Sequence, residues 1–415
     1  MAARPALVIG GGVIGVCAAY YLAREGWAVT LLEKGEICSG SSYGNAGLVV
    51  PSHSVPLAAP GVWQKGLRWM LDPESPFYIR PRLDWELIRW LWRFRGACTE
   101  THVARALPLL RDLGYASLAL YRDLAKLEGL DFGFQENGVL AVYQTETGFA
   151  EGRHEAELLA EAGIGVRVLD PTAARRVEPC LGPDLAGAVL FEPDAQLVPD
   201  RFVIGLARLV ERMGVDVRRW TEVLGFRTED RRVAAVETTR GDLEAGEVVL
   251  AAGAWSPGVA RDLGLRLPVQ PAKGYSVTCR RPVHGPRLPL LLGEARMAVT
   301  PMADTLRLAG TLELAGLDLS INRRRVAAVV RAAGRFLPGA ERLPVVEIWR
   351  GLRPCTPDGL PVVGRPPGFD NVILATGHAM IGMSLGPITG KLVAQLAAGE
   401  SSPIDVGPLR PERFG

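Results

Sequence analysis

An α/β fold is what this chain of 415 residues predicts, and three stretches carry the prediction. The first is Ala6-Leu7-Val8-Ile9-Gly10-Gly11-Gly12-Val13-Ile14-Gly15: an apolar run with the length and branching of a buried parallel strand, a glycine turn, then apolar residues at helical spacing up to Gly26. The second is a further apolar strand, Val29 to Leu32, ending in Glu33. The third is Glu247 to Trp255, an apolar strand that finishes in small residues, as at a sheet's carboxyl edge where a ligand's bulk is accommodated. Strands and helices interspersed with long connections fill the rest and read as an α+β second domain.

The glycine spacing has a chemical purpose. Gly10 permits the tight turn, Gly12 lets the backbone approach a pyrophosphate, and Gly15 lets the helix pack on the strand, with the diphosphate at the helix's positive end. Glu33 is placed to accept hydrogen bonds from a ribose diol, and an acid there repels a 2′-phosphate. This Rossmann-like arrangement implies a dinucleotide, with FAD and NAD both open from the fingerprint alone. No second G-x-G-x-x-G occurs in the chain.

Composition narrows the class. The 47 basic and 45 acidic residues leave a net charge of +2, which gives no field for nucleic acid. The six cysteines, Cys17, Cys38, Cys98, Cys180, Cys279 and Cys355, include no C-x-x-C pair, so neither a disulfide framework nor a metal site is expected. The N-terminus runs straight into the fingerprint, and a cytoplasmic location is expected. No uninterrupted apolar run is long enough to span a bilayer.

In chain order, the small polar stretch Ser39 to Leu48 can run beside a flat ligand or serve as a linker. From Pro51 to about Glu100 prolines and aromatics crowd in, with Trp63, Trp69, Trp85, Trp90 and Trp92. The helical run Trp85 to Arg95 mixes Leu87, Ile88, Leu91 and Trp92 with Arg89, Arg93 and Arg95. It suits an interfacial helix or a core-packing helix with solvated arginines. Helices are expected over Leu107 to Leu127, around His154 to Ala162, and from Pro199 to Gly214, with a strand at Gly138 to Tyr143 between the first two. Short strands follow from Val215 to Thr238. Lys273 to Thr278, Met297 to Pro301 and Leu306 to Thr311 read as strands of the second domain. Val372 to Thr376 is a last buried strand, and its exit enters a helix whose first turn is expected to hold Pro387.

The fingerprint with Glu33, the Leu250 to Trp255 strand end and the segment Trp349 to Leu385 together resemble the glycine oxidase and D-amino acid oxidase family. Asn45-Ala46-Gly47, Pro56 to Gly61, Lys273-Gly274-Tyr275-Ser276, Gly351 to Gly359 and Thr376-Gly377-His378 are most similar to its bacterial D-amino acid dehydrogenases. The resemblance implies FAD, held at its adenosine and pyrophosphate by Gly10, Gly12, Val13, Ile14, Gly15 and Glu33, with Lys34 beside them. Ser41, Ser42, Asn45, Ala46, Gly47 and Leu48 match residues that pass the pyrophosphate and flavin. Val223 matches an adenine contact, and Ala252, Gly253 and Trp255 match the small-residue strand end. Gly377, Gly382, Met383 and Ser384 match the turn over the flavin pyrimidine, and Gly351 joins this set. We expect a discontinuous FAD-binding domain (1–55, 199–265 and 349–415) and a substrate domain on an antiparallel sheet (56–198 and 266–348).

Oxidising an amine at Cα needs a cation that fixes the substrate carboxylate. Arg353 matches the family arginine with that task, and a guanidinium meets a carboxylate with two parallel hydrogen bonds. A structural ion pair with Asp358 is the other reading. Tyr275 is a candidate for a second carboxylate contact or for packing, and His53 and His378 are candidates to accept the amine proton or to be structural. Glycine oxidases carry a second arginine where this chain has Met380, which disfavours glycine and sarcosine and points to an apolar pocket. The expected activity is dehydrogenation of D-amino acids, D-proline and other cyclic ones among the candidates, to imino acids that hydrolyse to oxo acids and ammonia. Electrons are expected to pass to a quinone or another acceptor, with a peripheral contact to the inner face of the cell membrane. The alternatives are an oxygen-using secondary amine oxidase and an FAD-containing subunit of a larger complex.

Overall fold

The computed structural model describes residues 4–70 and 75–415. Its first sheet has six strands in the order 362–364, 372–376, 247–250, 5–9, 28–32, 216–218. All pairs are parallel except the edge strand Val362–Gly364. Leu7, Val8, Ile9, Val248, Val249, Leu250, Ile373 and Leu374 are buried, because helices cover one face of the sheet and a three-stranded antiparallel sheet (223–229, 232–238, 243–244) with the short helix Ser256–Arg261 covers the other. The helix Val13–Arg24 and the last helix, Gly382–Ala398, lie together on one face.

The second sheet is built from nine strands. The run Val345–Cys355, Gln270–Arg280, Thr305–Leu314, Met297–Met302, Leu290–Leu292 is antiparallel throughout, as is the run Val139–Tyr143, Gly187–Phe191, Val166–Leu169. Two pairs depart from an antiparallel sheet: Leu290–Leu292 runs parallel to Val139–Tyr143, and Phe77–Ile79 runs parallel to the end of Thr305–Leu314. The helix Arg323–Phe336 covers one face, burying Val326, Val329, Ala333 and Phe336 against Tyr275, Val277 and Leu308. The boundary expected at residue 349 falls inside Val345–Cys355, whose backbone pairs with Gln270–Arg280 along its length.

Two helices differ from expectation for physical reasons. The helix expected from Leu107 spans Glu100–Leu124, its start fixed by the Thr99 hydroxyl, which accepts from the His102 N–H. Pro387 lies one turn further into the last helix than expected. It has no N–H to offer the Met383 carbonyl, and the Tyr121 hydroxyl donates to that carbonyl instead, at 2.5 Å.

Candidate functional site

The fingerprint turn separates glycines needed by the fold from one that leaves space. Gly10 has φ +115°, and a Cβ on Gly15 would lie 1.8 Å from the Gly10 carbonyl oxygen, so both belong to the turn itself. A Cβ on Gly12 would meet only the Ser42 hydroxyl, at 3.4 Å. The helix Val13–Arg24 behind it has no acid in its first turn and no side chain at its N-cap, Gly12, and its positive end faces that open space. These features fit a diphosphate. Ser42 accepts from the Val13 N–H at 3.0 Å, tying the loop to the turn. The Glu33 carboxylate accepts from the N–H groups of Gly11 (2.7 Å) and Gly35 (2.8 Å), which fixes its direction while leaving acceptor sites for a diol. Lys34 and Trp255 meet as a cation–π pair, Nζ standing 4.3 Å from the ring. Ala252 and Gly253 form the turn after Glu247–Leu250, and Val223 opens the strand Val223–Glu229. Trp220, which sequence reasoning passed over, sits at the same end. Its backbone N–H reaches the Gly35 carbonyl and its indole donates to Glu36 at 3.1 Å.

The loop from Ser41 to Leu48 is held from both sides. Ser41 donates to the Leu352 carbonyl, and the Asn45 side chain accepts from the Gly47 N–H at 2.8 Å. Leu48–Val49 pairs with Ala195–Gln196, beside Ala46, and the Ser384 hydroxyl both accepts from the Val50 N–H and donates to the Leu48 carbonyl. Gly382, Met383 and Ser384 open a helix with no side-chain cap and no acid in its first turn. Sequence reasoning also missed Arg307. It is 5% exposed and donates to the carbonyls of Tyr43 (3.0 Å) and Asn45 (2.9 Å), with no acid in ion-pair range among the described residues. A lone buried arginine in an alternating strand was the available signal.

Arg353 stands on the strand Val345–Cys355, paired with Ala272. Its guanidinium lies flat over Gly274, where a Cβ would come within 2.2 Å of Nη1, and Nη1 donates to the Thr311 carbonyl at 2.7 Å. Asp358 does not pair with it, being held by Arg413 at 2.7 Å. Burial pulls the Arg353 pKa down from its usual value, and no acid among the described residues offsets its charge. Gly351 lies under the indole of Trp349, which also covers Gly44. Gly377 has φ +79° at the end of the strand Val372–Thr376, and Met380, three residues on, is 48% exposed.

Tyr275 is the correction. Ala272, the partner of Arg353, and Tyr275 are three residues apart on one strand, so their side chains leave opposite faces of the sheet. The Tyr275 ring is packed under the helix Arg323–Phe336, and its hydroxyl accepts from the Asn322 N–H at 3.2 Å. It belongs to the core, with the buried ions Lys273, Glu313 and Arg325 nearby. His53 sits in the loop whose Pro56 to Ala58 pack on Gly359, and burial lowers its pKa to about 4. His378 is 2% exposed, with Nε2 on the Thr389 hydroxyl at 2.9 Å and Nδ1 without a partner, and burial lowers its pKa to about 3. Both imidazoles are neutral at pH 7.

Beside His53, Ser52 donates through both its N–H (3.1 Å) and its hydroxyl (2.5 Å) to the buried Asp194, whose pKa burial pushes up to about 7. The folded chain therefore keeps this proton over a range where an unfolded aspartate, at roughly 3.9, has lost it. Folding stability should fall as pH rises from about 4 to 7 and then level off, with this group contributing on the order of 2 to 4 kcal/mol of the change. Thermal melts from pH 5 to 8 should show a flatter profile for Asp194→Asn than for the parent, and parallel profiles would remove Asp194 as the source.

The family described as DAO, FAD dependent oxidoreductase, matches residues 6–396. The chain is 34% identical to a D-amino acid dehydrogenase of Granulibacter bethesdensis over 98% of its own length and 99% of that protein's. It is 35% identical to a D-amino acid dehydrogenase of Methylobacterium nodulans, covering 98% of each. The solved structure of glycine oxidase from Geobacillus kaustophilus superposes with a TM-score of 0.81, at 25% identity and 98% coverage of both chains.

Proposed function

The chain belongs to the DAO family of FAD-dependent oxidoreductases, and from that premise we propose that it oxidises D-amino acids to imino acids. The observation that carries this reading is the Arg353 guanidinium: half-buried, aimed by the Thr311 carbonyl, and free of any acid among the described residues. A partly desolvated cation without a counter-charge gains from a ligand that brings one, and an amino acid's carboxylate does. The substrate loses two electrons and two protons across its Cα–N bond, and water then hydrolyses the imine to a 2-oxo acid and ammonia. FAD, when bound, supplies the electron-accepting chemistry.

The chain's residues supply position and charge. The open space before Gly12 and the acid-free start of the helix behind it suit the diphosphate, and Glu33 suits the ribose. The uncapped start of Gly382–Ala398 offers a second positive end for negative charge gathered during reduction. Arg353 holds the substrate carboxylate and so fixes which Cα–H faces inward. His53 and His378, kept neutral by burial, each retain an unprotonated ring nitrogen, the form a proton acceptor needs. Met380, on the site's exposed rim, favours substrates with an apolar side chain. Anaerobic bleaching of the purified yellow protein across a panel of D- and L-amino acids tests the reading, and bleaching by L-isomers alone would overturn it.

The electron acceptor we propose is a membrane quinone, on the strength of the helix Trp85–Ala97. One stripe, Leu87, Trp90 and Phe94, is buried, so the helix packs on the core. Its other side leaves Trp85 (81%) and Trp92 (74%) exposed among Arg89, Arg93 and Arg95, a composition that suits an anionic lipid surface. The preceding helix is Val62–Trp69, and residues 71–74 lie outside the described part of the chain. Among the described residues no helix is long and apolar enough to cross a membrane, so contact would be peripheral. The parent should sediment with anionic vesicles and reduce quinone analogues much faster than oxygen, while a Trp85→Asp/Trp92→Asp variant should stay in the supernatant. Equal turnover with oxygen alone and no sedimentation would return the helix to packing only.

A further inference from the structure

We infer that Thr311 is a second contact for the substrate carboxylate: its hydroxyl donates to the group that Arg353 clamps, while its backbone carbonyl aims the guanidinium. The inference rests on the reading of Arg353 given above.

Three observations meet at this residue. Thr311 has φ +66°, the left-handed region, where a β-branched side chain crowds its own backbone. It stands in a bulge: between Lys273↔Glu313 and Tyr275↔Gly310 the strand Thr305–Leu314 carries one residue more than its partner. Its hydroxyl oxygen is closed off from solvent and has no hydrogen-bond partner, while its carbonyl accepts from Arg353 Nη1 at 2.7 Å.

Each observation alone has an ordinary explanation, and together they have a shared one. A regular strand would spend the Thr311 carbonyl on the ladder, whereas the left-handed bulge turns it to the guanidinium. Strain of this kind persists where surrounding structure holds it, and bulges re-aim the groups they carry. The unpaired hydroxyl is the second product of that turn. Shut away from water it costs free energy in the free chain, and an acceptor brought by a ligand recovers it. A carboxylate has about four lone-pair sites, more than one guanidinium edge fills.

The test uses the FAD-loaded protein and benzoate, a carboxylate with no amine to oxidise, titrated by the change in flavin absorbance. Thr311→Val keeps the branched shape and loses the hydroxyl; Thr311→Gly keeps the left-handed backbone and its carbonyl; Thr311→Ser keeps the hydroxyl. The glycine and valine variants should bind benzoate roughly ten-fold more weakly and raise the substrate KM with little change in kcat, and serine should stay within about two-fold of the parent. If valine fails to load FAD, glycine carries the comparison. Parent-like benzoate affinity in the glycine variant while Arg353→Ala loses it would overturn the role of Thr311 alone. Parent-like affinity in Arg353→Ala would overturn the reading of the clamp itself.

Discussion

Replacing Arg353 by alanine is expected to leave FAD bound and to lower kcat/KM for amino acids by roughly 30-fold to 1000-fold. The estimate comes from a charge-assisted bidentate pair in a partly desolvated site, worth about 2 to 4 kcal/mol. The fold should tolerate the change, because the side chain makes one hydrogen bond, to the Thr311 carbonyl, and carries no ion pair among the described residues. Lysine should restore the charge but not the planar fork, giving partial rescue at best. A substrate amide, lacking the carboxylate charge, should be poor with the parent and should lose much less on substitution. Equal losses for acid and amide would make the arginine structural and place carboxylate binding elsewhere.

Gly12→Val is expected to abolish FAD binding, with affinity falling on the order of 100-fold or more because the branched side chain fills pyrophosphate space. The structure separates this effect from misfolding. A Cβ at Gly12 meets nothing closer than the Ser42 hydroxyl at 3.4 Å, so the variant should fold as apoprotein with a Tm close to that of the flavin-stripped parent. At Gly15 the same addition would strike the Gly10 carbonyl oxygen at 1.8 Å, and that variant should be recovered poorly. The ratio of flavin to protein absorbance decides the matter, and normal flavin content in Gly12→Val would sink the assignment of the turn.

The part of the site built from local signals was legible in the sequence. A strand, a glycine turn, a helix and a terminal acid follow one another within about thirty residues, and each announces itself by its own period. What depended on pairing between distant strands was not. Residues 270–279 of the strand Gln270–Arg280 are all buried, so no polar alternation marks which side chains share a face with Arg353. Tyr275 was therefore a reasonable candidate until its register with Arg350 placed it on the helix-covered side. Thr311 gave no sign at all, since a β-branched residue in a strand-like run advertises regular extended backbone and not a left-handed bulge. The Arg353–Asp358 pair remained open for a similar reason: the competing Arg413 lies near the chain's end, beyond any window in which sequence spacing is informative.

The strand that carries Arg353 also governs how the molecule can move. It is laddered into the large sheet, yet its Pro354 carbonyl accepts from the Ala379 N–H and its Leu352 carbonyl from the Ser41 hydroxyl, both on the nucleotide side. With the two bonds from Arg307 to the loop at Tyr43 and Asn45, swinging one sheet away from the other as a rigid body would break four hydrogen bonds at once. At about 0.5 to 1.5 kcal/mol each, that opening costs several kcal/mol before any apolar surface is exposed. Clamshell motion is thus a poor route for admitting substrate. The traffic of amino acid in and imino acid out falls to the rim, where the exposed Met380 stands, and the reacting groups keep their spacing from one turnover to the next.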